Sequence, residues 1–309
     1  MAARLKLLSA VVILYYSYTV FKLVDIRKFS WREQQSSFCE AVPNPERQSW
    51  NTNKKVISYS LFAPTRVSDD DEFTYFFDGV MQNIKDARLY YPEWIVRIYS
   101  IGLNSSLEQK LTLNSNTELV RCKENSLLTT STSRKMISRF LSMDDEKVSY
   151  TIFRDADSRL TPRELFAVND WIASDLGFHV MRDHKHHSVP VLGGMFGAKR
   201  GVLGHTINGL MMKAFLENPA GIQGVRGEDQ SFLKSYVWKK VRHVCLAHDI
   251  DIKRCKTFGS QSCVEFPIGD RNETEAYFVG AAFKSKTSPS GLLTYKCHHT
   301  CTIAPVERA

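Results

Sequence analysis

Apolar residues along the chain fall into two alternating patterns, short continuous runs and longer stretches with helical spacing. The runs at residues 56–62, 94–99, 117–122 and 150–153 are rich in β-branched and aromatic side chains, as buried strands are. Between the first two runs, apolar residues over 73–90 recur every three or four positions, which predicts a helix. This alternation predicts an α/β domain built on a mostly parallel, doubly wound sheet.

The pattern continues in the second half of the chain. Thr161, Pro162 and Glu164 form a capping box, which predicts the start of a helix. The remaining predicted elements are strands at 178–181 and 244–247, a glycine-rich turn at 191–197, and helices at 131–141, 207–216 and 229–238.

The amino-terminal residues differ from the rest. After a short basic tail at 1–6, the apolar stretch at 7–26 is long enough for one membrane span. A cleaved signal peptide is the alternative, because the apolar core is close to signal-peptide length. Residues 27–55 are polar and aperiodic, which predicts a stem, and residues 56–309 are expected to form one globular domain.

The net charge and its distribution limit the classes of molecule that the chain is expected to bind. The formal net charge is +8, but Lys and Arg are spread along the chain without the basic run of a nucleic-acid-binding module. We therefore expect no nucleic-acid partner. Anionic small molecules or an anionic membrane surface fit this charge better.

Sequons and cysteines indicate a secretory compartment. Asn104 and Asn272 begin N-glycosylation sequons. Of the seven cysteines, Cys39 is near the predicted span and could link two chains, whereas the other six could form three bridges or remain buried thiols. Those six are Cys122, Cys245, Cys255, Cys263, Cys297 and Cys301.

The most informative charged motif is Arg-Asp-Ala-Asp-Ser-Arg at 154–159, directly after the predicted strand at 150–153. Asp155 and Asp157 thereby follow the carboxyl end of an apolar strand, where open α/β sheets bind ligands. Carboxylate oxygens suit Mn²⁺ or Mg²⁺, and such a cation stabilises a diphosphate leaving group.

Two other segments also match Asp-x-Asp. The one at 69–71 lies among loop-like charges and is typical of a solvated turn. The one at 249–251 follows a strand-like run, so His248 either approaches the same metal from a neighbouring strand end or is a hydrogen-bonded histidine.

Over residues 56–280 the sequence resembles glycosyltransferases of the GT-A fold. The resemblance is carried by the motif at 154–159, the capped helix, Phe-His-Val-Met-Arg-Asp-His at 178–184, and Gly-Gly-Met-Phe-Gly at 193–197. It implies that Asp155 and Asp157 bind the metal and a nucleotide sugar, with the glycine-rich segment near the donor sugar.

Residues after the other predicted strands are further donor-binding candidates. Gly193 and Gly194 permit close backbone approach to a ligand, although a plain tight turn explains them as well. Arg154 and Arg182 offer cations for a diphosphate, and Asp183 offers a carboxylate for sugar hydroxyls. The histidines of segment 184–187 leave zinc binding as an alternative.

Glu228 and Asp229 open the predicted helix at 229–238. Acidic residues at a helix start act as caps and dipole partners. In inverting GT-A enzymes an acidic residue at a comparable position removes the acceptor proton, so the resemblance implies that Asp229 or Glu228 is the general base. A retaining enzyme would use the same residues differently.

These expectations combine into a single-pass type II membrane protein of the Golgi or endoplasmic reticulum with a lumenal catalytic domain. It would transfer a hexose from a nucleotide diphosphate sugar to a glycan or glycoprotein hydroxyl, with Mn²⁺ or Mg²⁺. The alternatives are a catalytically silent sugar-binding relative and a metal-dependent phosphohydrolase.

Overall fold

The fold is taken from a computed structural model of the chain. It describes residues 38–43, 52–63, 70–124, 132–217, 227–267 and 278–282. The chain divides into two compact units, residues 1–40 and 41–309, and only residues 38–40 of the first are described. The predicted tail and membrane span lie outside the described residues, as do Asn272, Cys297 and Cys301.

Strands and helices alternate along most of the described chain. The strands are β1 (Cys39–Ala41), β2 (Lys54–Phe62), β3 (Trp94–Ile101), β4 (Thr117–Cys122), β5 (Val148–Phe153), β6 (Phe178–Arg182), β7 (Phe196–Lys199), β8 (Cys245–Asp249) and β9 (Ser262–Val264). The α-helices are α1 (Asp70–Tyr90), α2 (Ser105–Thr112), α3 (Thr132–Ile137), α4 (Pro162–Ala173), α5 (Ile207–Glu217), α6 (Glu228–Phe232), α7 (Lys239–Val241) and α8 (Ile252–Phe258). None of the helices in the described ranges is long and apolar enough to cross a membrane.

The strands of the second unit form one mixed sheet in the order β4-β3-β2-β5-β7-β6-β8-β9. Parallel pairing joins β4, β3, β2 and β5 on one side and β6, β8 and β9 on the other. The α/β class is confirmed. The sequence did not predict β7, which is antiparallel to both β5 and β6 and includes Phe196 and Gly197 from the predicted turn.

The core explains why some strand patterns are continuous rather than alternating. All eight residues of β3 are buried, because helices cover both faces of that part of the sheet. Trp171 of α4 is fully buried and packs over Gly197, where a Cβ atom would lie only 2.9 Å from its Cζ3 atom. A glycine in β7 therefore permits the close approach of α4 to the sheet.

Helix starts follow local capping chemistry. The Thr161 side chain accepts a hydrogen bond from the Glu164 backbone N–H at 3.3 Å, which confirms the predicted start of α4. Asn104 caps α2, a helix that the sequence did not predict, by accepting from Leu107 N–H at 3.0 Å. The predicted helix at 131–141 is instead α3 followed by a 3₁₀ segment, Ser138–Asp144.

Disulfide bonds are present, as predicted, but not at every expected cysteine. Cys255 of α8 and Cys263 of β9 form a disulfide bond, and Cys39 and Cys122 are each disulfide-bonded. Cys245 is a buried free thiol in β8, the second of the two alternatives that the sequence left open. Burial raises the pKa of this thiol to about 12, so it stays protonated at neutral pH.

Candidate active site

The loop after β5 holds the predicted carboxylate pair at the carboxyl end of the sheet. It turns back at once, since the Ser158 N–H and hydroxyl both donate to the Asp155 carbonyl, at 3.2 and 2.9 Å. Helix α1 supports the loop: Asn83 donates to the Ser158 carbonyl at 2.9 Å, and a Cβ atom at Gly79 would collide with the Ala156 carbonyl. The backbone of the motif is therefore fixed on its inner side.

Asp155 and Asp157 differ in environment. The Asp155 side chain is 46% exposed. Burial raises the pKa of Asp157, and the negative charge of Asp155 raises it further. A divalent cation bound by the two carboxylates would relieve the repulsion that Asp157 experiences from Asp155.

Arg139, in the 3₁₀ segment after α3, links the carboxylate motif to the start of α6. Its Nη1 donates to Asp155 Oδ1 at 2.6 Å and to the Arg154 carbonyl at 2.9 Å. Its Nη2 lies 3.3 Å from Asp229 Oδ2. The Arg139 side chain is only 4% exposed, so this cation fixes two carboxylates from different elements. No spacing or motif in the sequence singled it out.

The glycine-rich segment closes over the same group. A Cβ atom at Gly194 would collide with the Asp155 carboxylate, and one at Gly193 would collide with Asp229 Oδ2. A Cβ atom at Gly193 would also lie only 2.9 Å from Arg139 Nη2. Two adjacent glycines thus bring their backbone against both carboxylates, a contact that any larger residue would displace.

Asp229 is the buried carboxylate of the group, with a side chain 7% exposed. It lies in the first turn of α6, which follows Gly227 at φ 92°, a conformation that favours glycine. Burial raises the pKa of Asp229; Arg139 opposes this effect and Asp155 adds to it. The neighbouring Glu228 is 9% exposed. Arg139 therefore links Asp155 to Asp229, and the backbone of Gly193 and Gly194 lies against these two carboxylates.

Arg154 points away from this group into the core. It is 1% exposed, and its Nε donates to Glu164 Oε1 at 3.1 Å. The same Glu164 oxygen accepts from the Tyr91 hydroxyl at 3.2 Å. A role for Arg154 in donor binding stays a prediction, whereas its ion pair ties the end of β5 to α4.

Arg182 and Asp183 also form buried ion pairs. Arg182 Nε donates to Asp249, and both side chains are fully buried. Asp183 accepts two bonds from Arg163, at 2.9 and 3.0 Å, and a third from the Val279 N–H at 2.9 Å. The predicted donor contacts of Arg182 and Asp183 stay predictions. In the structure both residues join distant segments of the chain.

His248 does not join the carboxylate motif. Its Nδ1 lies 2.9 Å from His179 Nε2, and its Nε2 lies 3.5 Å from Asp170 Oδ2. Within the described ranges, no group of three or more His, Cys, Asp or Glu side chains is arranged to hold a metal ion. The predicted ligand set of Asp155, Asp157 and His248 is therefore not assembled, because both ring nitrogens of His248 face other residues.

The histidines of segment 184–187 are engaged locally. His184 Nδ1 accepts from the His186 N–H at 3.2 Å, and His187 Nδ1 accepts from the Asp183 N–H at 3.1 Å. His184 also stacks on Phe278, with ring centroids 4.3 Å apart. These contacts occupy one nitrogen of each of the two rings, and the described residues offer no zinc cluster here.

Comparison with solved structures finds glycosyltransferases. The enzyme GlyE of Streptococcus pneumoniae matches with a TM-score of 0.43 and 13% identity, over 64% of this chain and 45% of that protein. A glycosyltransferase involved in glycosylation of the major capsid of PBCV-1 matches with a TM-score of 0.37 and 10% identity, over 68% of this chain and 90% of that protein. The mannosyltransferase PcManGT of Pyrobaculum calidifontis was solved with GDP-Man and Mn²⁺. It matches with a TM-score of 0.37 and 12% identity, over 71% of this chain and 61% of that protein.

The chain thus spans less than half the length of GlyE. No family model matches the chain, and no curated protein matches it. An assignment of activity therefore depends on the geometry of the site itself.

Proposed function

We propose that the chain is a metal-dependent glycosyltransferase that moves a hexose from a nucleotide diphosphate sugar to a hydroxyl of a glycan or glycoprotein. The observation that carries the proposal is the Arg139 bridge between Asp155 and Asp229. Arg139 pairs both with Asp155, a proposed metal ligand, and with Asp229, a buried carboxylate whose pKa is raised. This arrangement provides both functions that sugar transfer needs, one for the leaving group and one for the acceptor.

Asp155 and Asp157 are the residues that would hold the divalent cation. When bound, Mn²⁺ or Mg²⁺ supplies positive charge to the departing diphosphate. The backbone of Gly193 lies against Asp229 and that of Gly194 against Asp155, so the N–H groups of this segment are suited to orient the donor.

Asp229 would accept the proton of the acceptor hydroxyl. The acceptor oxygen forms a bond to the anomeric carbon, the bond from that carbon to the diphosphate oxygen breaks, and the proton passes to Asp229. A carboxylate whose pKa is raised by burial is a better base than an exposed one. Arg139 holds Asp229 and Asp155 in fixed relation and is a positioning residue.

The first test measures nucleotide release from a panel of nucleotide diphosphate sugars, with Mn²⁺ or with a chelator. We expect release that requires metal and an acceptor and is lost in the Asp155→Asn, Asp157→Asn double variant. Asp175→Asn, at an exposed carboxylate, is the matched control and should behave as wild type. Release that is indifferent to acceptor would instead indicate a phosphohydrolase. Donor binding without release would indicate a silent relative.

We also propose that residues 7–26 anchor the protein in the Golgi or endoplasmic reticulum membrane with the domain in the lumen. The support is the apolar sequence of that stretch together with the disulfide between Cys255 and Cys263. Asn104 is exposed, which suits glycosylation in that compartment.

A further inference from the structure

The helical segment that begins at Asp229 continues beyond the candidate active site as a surface element. It runs through α6, a π-helical stretch at Leu233–Trp238, α7 and a 3₁₀ turn at Arg242–Val244. One side is buried, and the residues of that side are Phe232, Leu233, Val237, Trp238 and Val241. The opposite side faces solvent and carries the charges.

Three fixed cations share this exposed side: Lys234, Lys239 and Arg242, here called the basic face. Residues five apart lie on the same side of a π-helix, which aligns Lys234 with Lys239. A further step of three residues, close to one helical turn, brings Arg242 into the same row. The basic face is therefore a line of positive charge along the segment.

The segment itself contributes no acidic residue to balance this line. The sequence contains no Asp or Glu between Asp229 and Asp249. In the described part of the chain, none of the three cations forms an ion pair, whereas Tyr236 on the flank donates to Glu217 at 2.9 Å. Uncompensated cations in a row attract an extended anion.

The row also has a defined position relative to the site. Arg242 is 13 residues beyond Asp229, which corresponds to roughly 20 Å along a helix. Its far end is braced, because the Gln261 N–H donates to the Arg242 carbonyl at 2.8 Å and Trp238 Nε1 donates to the Phe258 carbonyl at 3.0 Å. The basic face therefore lies on the same helical segment as Asp229 and begins five residues beyond it, at Lys234.

We propose that the basic face binds an anionic glycan, so that the acceptor is a polysaccharide or oligosaccharide bearing carboxylate or sulfate groups. The statement that this glycan is the acceptor rests on the proposed function. Binding of the glycan to the basic face can occur without catalytic turnover. A glycan is favoured over a membrane surface because the row lies on the helical segment that carries the candidate base and begins five residues beyond it.

The experiment measures binding of the protein to immobilised hyaluronan, a carboxylated glycan, and to carboxyl-reduced hyaluronan as its neutral counterpart. We expect salt-sensitive retention on the carboxylated glycan alone. The variant Lys234→Glu, Lys239→Glu, Arg242→Glu should bind about tenfold more weakly. The control Lys85→Glu, Lys110→Glu, Lys123→Glu changes the net charge equally at exposed sites elsewhere and should bind as wild type.

Equal loss of binding in both triple variants would overturn the proposal, because net charge alone would then explain retention. Retention on phosphatidylserine vesicles but not on hyaluronan would overturn it in favour of a membrane surface. Nucleotide release from the sugar donors is measured in parallel. Glycan binding that depends on the basic face, in a protein that releases no nucleotide, would sustain this inference while the proposed transferase activity fails.

Discussion

Replacing Arg139 with methionine tests the central geometric claim, that one buried cation organises the site. The variant keeps the local backbone in place, because Ser58 Oγ donates to the Arg139 carbonyl at 2.7 Å and the Arg139 N–H donates to Ser60 Oγ at 3.1 Å. It removes the guanidinium contacts to Asp155, to Asp229 and to the Arg154 carbonyl. Methionine retains most of the apolar volume.

The structure sets the size of the expected effect on stability. Removing one partner of a buried ion pair costs about 3–5 kcal/mol. Asp155 is 46% exposed and regains water, so its share is small. Asp229 is 7% exposed but takes up a proton more readily than usual. We therefore expect the lower end of that range, about 3 kcal/mol, at neutral pH.

The same change has a predictable pH dependence. Arg139 stabilises the buried Asp229 only while that carboxylate is ionised, so this contribution is lost as the pH falls through the folded pKa of Asp229, which burial raises. Without Arg139 the pKa of Asp229 rises further, because the opposing cation is gone. The stability deficit should therefore be large near about pH 8 and shrink toward about pH 4.

Urea denaturation followed by circular dichroism at several pH values measures the deficit, and nucleotide release measures activity. We expect activity to fall by about 100-fold through misplacement of the two carboxylates. Arg139→Lys should recover stability more than activity, since a lysine cannot bridge two carboxylates as the guanidinium fork does. Arg88→Met, at an exposed arginine, should stay within about 0.5 kcal/mol of wild type. A deficit that does not change with pH would refute the reasoning.

Three further predictions concern single residues. Gly194→Ala should reduce Mn²⁺ affinity and nucleotide release in a folded protein, because the added Cβ atom would displace Asp155. The control Gly209→Ala, in α5, should reduce neither. Isothermal titration with Mn²⁺ measures the affinity. Asp183→Asn should lower the free energy of unfolding by about 3 kcal/mol, measured in urea, because Arg163 loses its buried partner; an unchanged midpoint would contradict this. Ser106→Ala should abolish a glycosidase-sensitive mobility shift without loss of stability, since the Asn104 cap stays; a persistent shift would place the glycan elsewhere.

The sequence predicted best those elements whose pattern is set by burial on both faces or by a local cap. The run at 94–99 lies within β3, in which every residue is buried, so its apolar pattern is continuous. The start of α4 was predictable because Thr161 and Glu164 form their hydrogen bond within one turn. Such signals need no information about distant parts of the chain.

The direction of β7 was not predictable in this way. It is four residues long and pairs with β5 and β6, so its orientation is set by two strands far from it in sequence. The ion pairs of Arg182 and Asp183, at the end of β6, were not predictable for a related reason. Arg182 pairs with Asp249, 67 residues away, and the sequence alone does not distinguish that pairing from contact with a ligand.

The buried arginines differ in the exposure of the carboxylates with which they pair. Arg154 and Arg182 are each at most 1% exposed and neutralise a carboxylate that is equally buried, as an internal ion pair must. Arg139 is buried to a similar extent, but one of its carboxylate partners is half exposed and adjoins the second aspartate of the motif. In the Arg154 and Arg182 pairs, by contrast, the carboxylate is at most 1% exposed. The open side of Asp155 is what a ligand would complete, and this asymmetry distinguishes Arg139 from the structural arginines.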